Sequence, residues 1–195
     1  MASGIVGILL AGGNGSRFGS DKLLHPLAPG VPLAVATATR LLAVCEHTVA
    51  VVRPGSDRLA SLLADAGCQV VVCADAGQGM GHSLAAGVGA APEAGGWLVA
   101  LADMPFIAVA TYRGVADALR AGASLARPVA DGRQGHPVGF APRWFAALVA
   151  LRGDQGARAI LAASPDQVRL LPVNDDGIWR DVDRPGDLGA AAAAP

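Results

Sequence analysis

Ile5-Val6-Gly7-Ile8-Leu9-Leu10-Ala11-Gly12-Gly13-Asn14-Gly15-Ser16-Arg17-Phe18-Gly19-Ser20-Asp21-Lys22 carries an apolar run that breaks into a glycine-rich loop and then into charge. A short apolar run bounded by turn residues reads as a buried strand, and a strand buried on both faces belongs to a parallel sheet covered by helices. Nothing basic precedes the run, and Gly-Gly-Asn-Gly is a turn rather than a cleavage site, so the run does not read as a secretory signal. The glycines let backbone N–H groups approach an anion closely, and Arg17 and Lys22 add positive charge at the same place. The loop therefore predicts a phosphate site, although such loops also occur merely to turn the chain. It is not a P-loop, because no Gly-Lys-Ser/Thr follows at the needed spacing. Nor is it a dinucleotide fingerprint. Phe18 stands where the third glycine should fall, and no acidic residue follows about 20 positions on.

Outward from this loop, apolar runs recur as candidate strands at Val6–Leu10, Thr48–Val52, Val70–Cys73, Trp97–Leu101 and Ser124–Pro128. Between them, helical spacing covers Pro32–Val44, Asp57–Asp65, His82–Ala90 and Val109–Ala121. The alternation predicts an α/β fold, three-layer α/β/α and Rossmann-like, with a mainly parallel sheet and ligands at the carboxyl ends of the strands. Beyond it lie a Gly-rich extended piece (Asp131–Phe140), helices near Pro142–Leu151 and Gly156–Ala163, and short strands around Val168–Leu171 and Ile178–Val182. The 195 residues suit one domain over the whole length.

A net charge of −1 with scattered arginines argues against a nucleic-acid partner, and no apolar run reaches the ~18 residues of a membrane span. Cys68 and Cys73 flank a strand-like run with their side chains on opposite faces, which speaks against a disulfide or a shared zinc and for buried thiols in a reducing cytoplasm. Fourteen arginines accompany a single lysine, Lys22, and its place just after the glycine loop suggests a specific need for a compact ammonium there.

Two further segments carry chemistry. Gln78-Gly79-Met80-Gly81-His82-Ser83-Leu84 precedes a helix, where small residues permit close approach of a base or ribose and Ser83 can cap the helix or donate to a ligand. Trp97–Leu101 leads into Ala102-Asp103-Met104-Pro105, placing a carboxylate at the tip of a central strand. Asp103 suits Mg²⁺, which takes one or two carboxylates plus nucleotide phosphates, or it caps the next helix. Asp181-Val182-Asp183-Arg184-Pro185-Gly186-Asp187 offers a second acidic site, with Asp187 read as a helix cap.

Leu-Ala-Gly-Gly-x-Gly-Ser-Arg-Phe-Gly-x-Asp-Lys resembles the signature loop of the molybdenum-cofactor guanylyl- and cytidylyltransferases, the MobA-like branch of the NTP-transferase superfamily. The resemblance implies that Leu10, Ala11, Gly12, Gly13, Asn14, Gly15 and Ser16, with the Arg17 and Lys22 side chains, hold a nucleoside triphosphate. By the same likeness Gly79, Gly81 and Ser83 lie along the nucleoside, and Asp183, with Asp181 in reserve, joins Asp103 on a magnesium ion. Arg127-Pro128-Val129-Ala130-Asp131-Gly132-Arg133-Gln134-Gly135-His136-Pro137 is similar to the family's acceptor segment. There His136 and Arg133 either meet an anionic acceptor or merely complete a hairpin. Arg158, after Gly153-Asp154-Gln155-Gly156-Ala157, points to a phosphate or to the surface.

The implied reaction moves CMP or GMP from CTP or GTP to the phosphate of the molybdenum cofactor with release of pyrophosphate, with Arg17, Lys22 and Asp103 as the catalytic groups. The downstream segments favour the cytidylyl branch, whereas Ala11-Gly12-Gly13 looks more guanylyl-like. A molybdenum hydroxylase is the implied recipient. Other readings are transfer to a phosphorylated sugar or alcohol, or non-catalytic delivery of the cofactor.

Overall fold

The computed structural model describes residues 4–13, 22–27, 30–154, 156–184 and 186–187. In chain order the elements are β1 (Ile5–Ala11), a small antiparallel hairpin of β2 (Pro26–Leu27) and β3 (Val31–Pro32), α1 (Leu33–Leu42), β4 (His47–Val52), α2 (Asp57–Asp65) and β5 (Gln69–Val72). Then follow α3 (Met80–Gly89), β6 (Gly96–Leu101), α4 (Val109–Arg120), β7 (Leu125–Ala130), β8 (Arg133–Gln134), β9 (Val138–Phe140), α5 (Phe145–Val149), α6 (Arg158–Ala163) and β10 (Val168–Pro172).

All of β1 is buried, and its alternation divides it between two cores. Ile5, Leu9 and Ala11 pack with α1, α2 and α4 through Leu33, Leu41, Leu59, Leu63, Tyr112 and Val115. Val6, Ile8 and Leu10 pack on the other face with Leu84 and Val88 of α3 and Leu148 of α5. A strand feeding two cores has no solvent face, hence its uninterrupted apolar reading. Cys45, Cys68 and Cys73 are buried, free thiols. Burial pushes the Cys45 thiol up to about 12 and Cys68 to about 11, so neither ionises near neutral pH.

The sheet runs β10-β7-β9-β6-β1-β4-β5, with β8 paired to β7. β1 pairs in parallel with β4 and β6, β4 with β5, and β7 with β10. β9 enters antiparallel between β6 and β7. The fold is thus α/β with a mostly parallel sheet, as expected, but β7 does not sit beside β6. Asp131 (φ 48°) and Gly132 (φ 73°) turn β7 directly into β8, pairing Ala130 with Arg133. Two consecutive positive φ angles are the requirement of a two-residue hairpin turn, which Asp-Gly meets.

One expected strand is absent. Ile178–Val182 does not pair; Asp176–Trp179 is a 3-10 turn followed by irregular chain. Its apolar residues serve burial instead, with Ile178 and Val182 sealed in the β1–α4 core.

Candidate active site

The carboxyl ends of β1 and β6 lie side by side, since Leu10 pairs with Leu101 and Ala102 N donates to Leu10 O at 3.0 Å. Asp103 follows at the tip of β6. Lys22 opens a short 3-10 turn, and its backbone carbonyl accepts from His25 N. Its ammonium donates to Asp103 Oδ2 at 2.8 Å and to Asp183 Oδ1 at 2.9 Å. The lone lysine and the two expected metal carboxylates therefore converge on one point. Burial alone would lower the Lys22 pKa. The hydrogen bonds and negative charge of Asp103 and Asp183 outweigh it and hold the ammonium above its ordinary value.

Asp183 is delivered there by contacts along the C-terminal segment. Asp175 accepts from Ala108 N (2.9 Å) and Thr111 Oγ1 (2.5 Å), so it caps α4 from across the fold, while its other oxygen accepts from Gly177 N at 3.0 Å. His136 N donates to Ile178 O at 2.8 Å, and Val182 N to Asp103 O at 2.9 Å. The last bond sets residue 183 beside Asp103. Asp187 then accepts from the N–H groups of Asp183 (2.9 Å) and Arg184 (2.7 Å). It clasps the turn behind Asp183; any helix it would cap lies outside the described residues. Asp181 is exposed and makes no contact with Lys22.

A cavity of about 310 Å³ opens on this cluster, lined among others by Gly12, Gly13, Lys22, Gly79, Ser83 and Asp103. Among the described residues, no atom beyond its chain neighbours lies within 4 Å of where a Cβ on Gly13 would stand, so its backbone lines the cavity without a side chain packed against it. Gly12 is different: a Cβ there would meet Ser83 Oγ at 3.1 Å. Asn14, Gly15, Ser16 and Arg17 lie outside the described residues.

The second glycine motif has a structural cause as well. α3 starts at Met80, two residues before the expected start, so Ser83 sits inside its first turns and caps nothing. Gly81 N donates to Gly153 O at 2.8 Å, and Gly153 N donates to His82 Nδ1 at 3.3 Å. The turn at 152–154 thus caps the N-terminus of α3 with backbone. A Cβ on Gly81 would stand 2.8 Å from Arg152 O, and one on Gly79 (φ 130°) 2.3 Å from the Gly153 carbonyl carbon. Gly79 lines the cavity with Ser83; Gly81 does not.

A second cavity of about 520 Å³ adjoins the first across Leu10, Met80 and Leu101. Its walls are mainly aliphatic, and its polar members are Arg127, Gln134, His136 and Arg158. Both His136 and Arg158 thus line one cavity. Arg133 does not; its guanidinium lies over the Trp179 ring, 4.6 Å from the centroid. Arg127 is the arginine on the wall, bonded to Gly135 O (3.1 and 3.3 Å) and Gln134 Oε1 (3.1 Å). Burial, reinforced by Arg127, pushes the His136 pKa down to about 4 against a smaller upward pull from Asp103, so the imidazole is neutral at pH 7. Its Nδ1 is buried and has no hydrogen-bond partner among the described residues.

Residues 7–168 match the MobA-like NTP transferase domain. The chain belongs to that family. Within this nucleotidyltransferase family it is 32% identical over 190 residues to the nicotine blue oxidoreductase of Paenarthrobacter nicotinovorans, covering 92% of each protein. It is 30% identical over 191 residues to the purine catabolism protein PucB of Bacillus subtilis, covering 93% of this chain and 92% of PucB. Among solved structures, Rv0371c of Mycobacterium tuberculosis superposes over the full length of both chains with a TM-score of 0.85 and 27% identity. The same protein in complex with manganese gives 0.81 and 26%, again over both full lengths. The MobA-like match ends before Asp183, so that carboxylate joins the site from outside the matched stretch.

The carboxylate pair suits a hard divalent ion. Side chains of Asp103 and Asp183 are 24% and 44% exposed, both within reach of one cation, with no third metal-binding side chain among the described residues. That donor set matches an ion that completes its shell with water and phosphate oxygens. No described helix is long and apolar enough to cross a membrane.

Proposed function

We propose that this protein transfers a nucleoside monophosphate, CMP in preference to GMP, from the triphosphate to the phosphate of the molybdenum cofactor. The observation that carries the reading is the meeting of Lys22, Asp103 and Asp183 beside the open backbone of Gly13. The triphosphate lies along Gly12 and Gly13 with Arg17 and Lys22 against its terminal phosphates. An acceptor phosphate oxygen attacks the α-phosphorus, the bond to the β-phosphate oxygen breaks, and pyrophosphate leaves with its charge met by Lys22 and Arg17. Asp103 and Asp183 would hold a divalent ion, magnesium on the family resemblance, which draws charge from the α-phosphate when bound.

The acceptor is already an anion near neutral pH, so no side chain has to remove a proton. A neutral His136 suits that arrangement, because it orients by hydrogen bonding without titrating. His136 and Arg158 are the acceptor residues this reading keeps; Arg127 joins them in place of Arg133. A cytoplasmic setting and hand-over to a molybdenum hydroxylase follow from the same reading.

The test is pyrophosphate release by purified protein with Mg²⁺ and molybdenum cofactor, comparing CTP, GTP, ATP and UTP against an Asp103→Asn blank. Release with one nucleotide that the blank lacks supports the reading and settles the base. Silence with all four, using folded protein and active cofactor, rejects it. A second reading, hydride transfer to a ring bound in the larger cavity, is favoured by the likeness to nicotine blue oxidoreductase. It predicts NADH or NADPH oxidation without any nucleoside triphosphate.

A further inference from the structure

We propose that Lys22 is a specificity-determining residue that occupies the metal position until a nucleotide carrying at least a β-phosphate draws it away. This rests on the metal assignment above and adds the order in which the ligands enter. The ammonium of Lys22 is buried and bonds Asp103 Oδ2 and Asp183 Oδ1 at 2.8 and 2.9 Å. An ion held by the same two oxygens would stand about 2.0–2.1 Å from each. It would fall within the volume that the ammonium now fills, so the two cations exclude one another.

Lys22 can leave only toward other acceptors, because an ammonium stripped of both partners in a buried place is strongly unfavourable. The cavity beside it, lined by Gly12, Gly13, Ser83 and Asp103, is where phosphate oxygens would supply them. A bare divalent ion offers Lys22 no such partner. A nucleoside monophosphate offers none at the β or γ position. A triphosphate both accepts Lys22 and frees the carboxylates, so nucleotide and metal each raise the affinity for the other by the same factor. Lys22 thereby discriminates against monophosphates and keeps the site from filling with metal alone.

The experiment is manganese binding followed by water proton relaxation, which responds to manganese on the protein rather than on free nucleotide. Native protein, Lys22→Met and Asp103→Asn are titrated alone, with CMP, and with a CTP analogue bearing a methylene bridge between the α- and β-phosphorus. Native protein should bind manganese about tenfold more tightly with the analogue than alone, and CMP should have no effect. Lys22→Met should bind manganese alone about tenfold more tightly than native protein, with the analogue adding less than it does to native protein, because its phosphates still ligate the ion but no longer have to draw an ammonium away. Should Lys22→Met misfold, Lys22→Gln gives the same comparison with a polar, uncharged side chain. Equal manganese binding by native protein and the uncharged variant, each without nucleotide, overturns the gate while leaving the metal site standing, provided Asp103→Asn has lost manganese. If Asp103→Asn binds as native protein does, the carboxylate metal site falls and the gate with it.

Discussion

The carboxylate of Asp187 accepts a hydrogen bond from the backbone N–H of Asp183 at 2.9 Å, and a second from Arg184 N at 2.7 Å. Asp183 is thereby aimed at Lys22 by a residue whose carboxylate holds its backbone and that of Arg184. Loss of two charge-assisted bonds loosens the turn that follows the Val182 N to Asp103 O bond and carries Asp183 to Lys22. Asp187→Ala should lower kcat roughly tenfold and raise the metal concentration needed for half-maximal rate, for a loss of about 1.4 kcal/mol in transition-state binding. Asp187→Asn keeps an acceptor oxygen and should recover most of the activity. Steady-state kinetics across a metal titration decides it. Unchanged metal dependence in Asp187→Ala would mean the clasp has no bearing on Asp183.

Gly13 and Gly81 should part company when each is changed to alanine. Among the described residues a Cβ on Gly13 meets no atom within 4 Å, whereas one on Gly81 stands 2.8 Å from Arg152 O and 2.9 Å from Gly153 O, both backbone. Backbone cannot rotate away as a side-chain tip can, so Gly81→Ala should destabilise by roughly 1–3 kcal/mol. Gly13→Ala should melt like native protein, yet bind nucleotide more weakly because the methyl group stands in the cavity. Thermal melts paired with nucleotide titrations separate the two. A Gly13→Ala protein with native affinity would remove the loop from the phosphate site.

Most of the fold was legible because β1, β4 and β6 are buried on both faces and so read as apolar runs. Lys22 and Asp103 were legible because each stands directly after such a landmark. The insertion of β9 was not: Val138–Phe140 is three residues long, and its place between β6 and β7 is a tertiary pairing without a local period. Asp131-Gly132 did carry a hairpin signal, which the surrounding glycines obscured. Ile178–Val182 is bounded by apolar residues like a short strand, but Ile178 and Val182 answer to the α4 core and the backbone before them is turned by Asp175. Gly79 and Gly81 were read for a ligand when they are at least as much required by the 152–154 turn, a partner over 70 positions away. Arg127 and Arg133 were separable only by geometry.

Asp175 joins three donors: Ala108 N, Thr111 Oγ1 and Gly177 N. It therefore ties the start of α4 to the segment that ends in Asp183. Asp175→Ala leaves the α4 end uncapped and should cost about 1–2 kcal/mol, the range of a helix N-cap. For a chain of this size that corresponds to a fall in Tm of roughly 2–8 °C. Asp175→Asn keeps one acceptor oxygen and should fall between. A native melting point in Asp175→Ala would show that the tie contributes nothing to the folded state.

His136 gives the acid limb of stability its sign. Its folded pKa is pushed down to about 4 by burial and Arg127, against an ordinary value of 6.5. Between those values the unfolded chain binds a proton that the folded chain does not, so stability falls as pH drops from about 6.5 toward 4 and levels off below. A full shift of this size corresponds to at most about 3 kcal/mol. His136→Gln removes the titration while retaining a polar side chain at the cavity wall. Urea melts at intervals from pH 7 to pH 4 should show a steeper loss in native protein than in His136→Gln. Above pH 7 the two curves should run parallel, because the imidazole is neutral in both the folded and the unfolded chain. Equal slopes below pH 6.5 would place the proton uptake on another group and leave the imidazole free to charge in the fold. That result would also remove the argument that His136 meets the acceptor as a neutral hydrogen-bonding group.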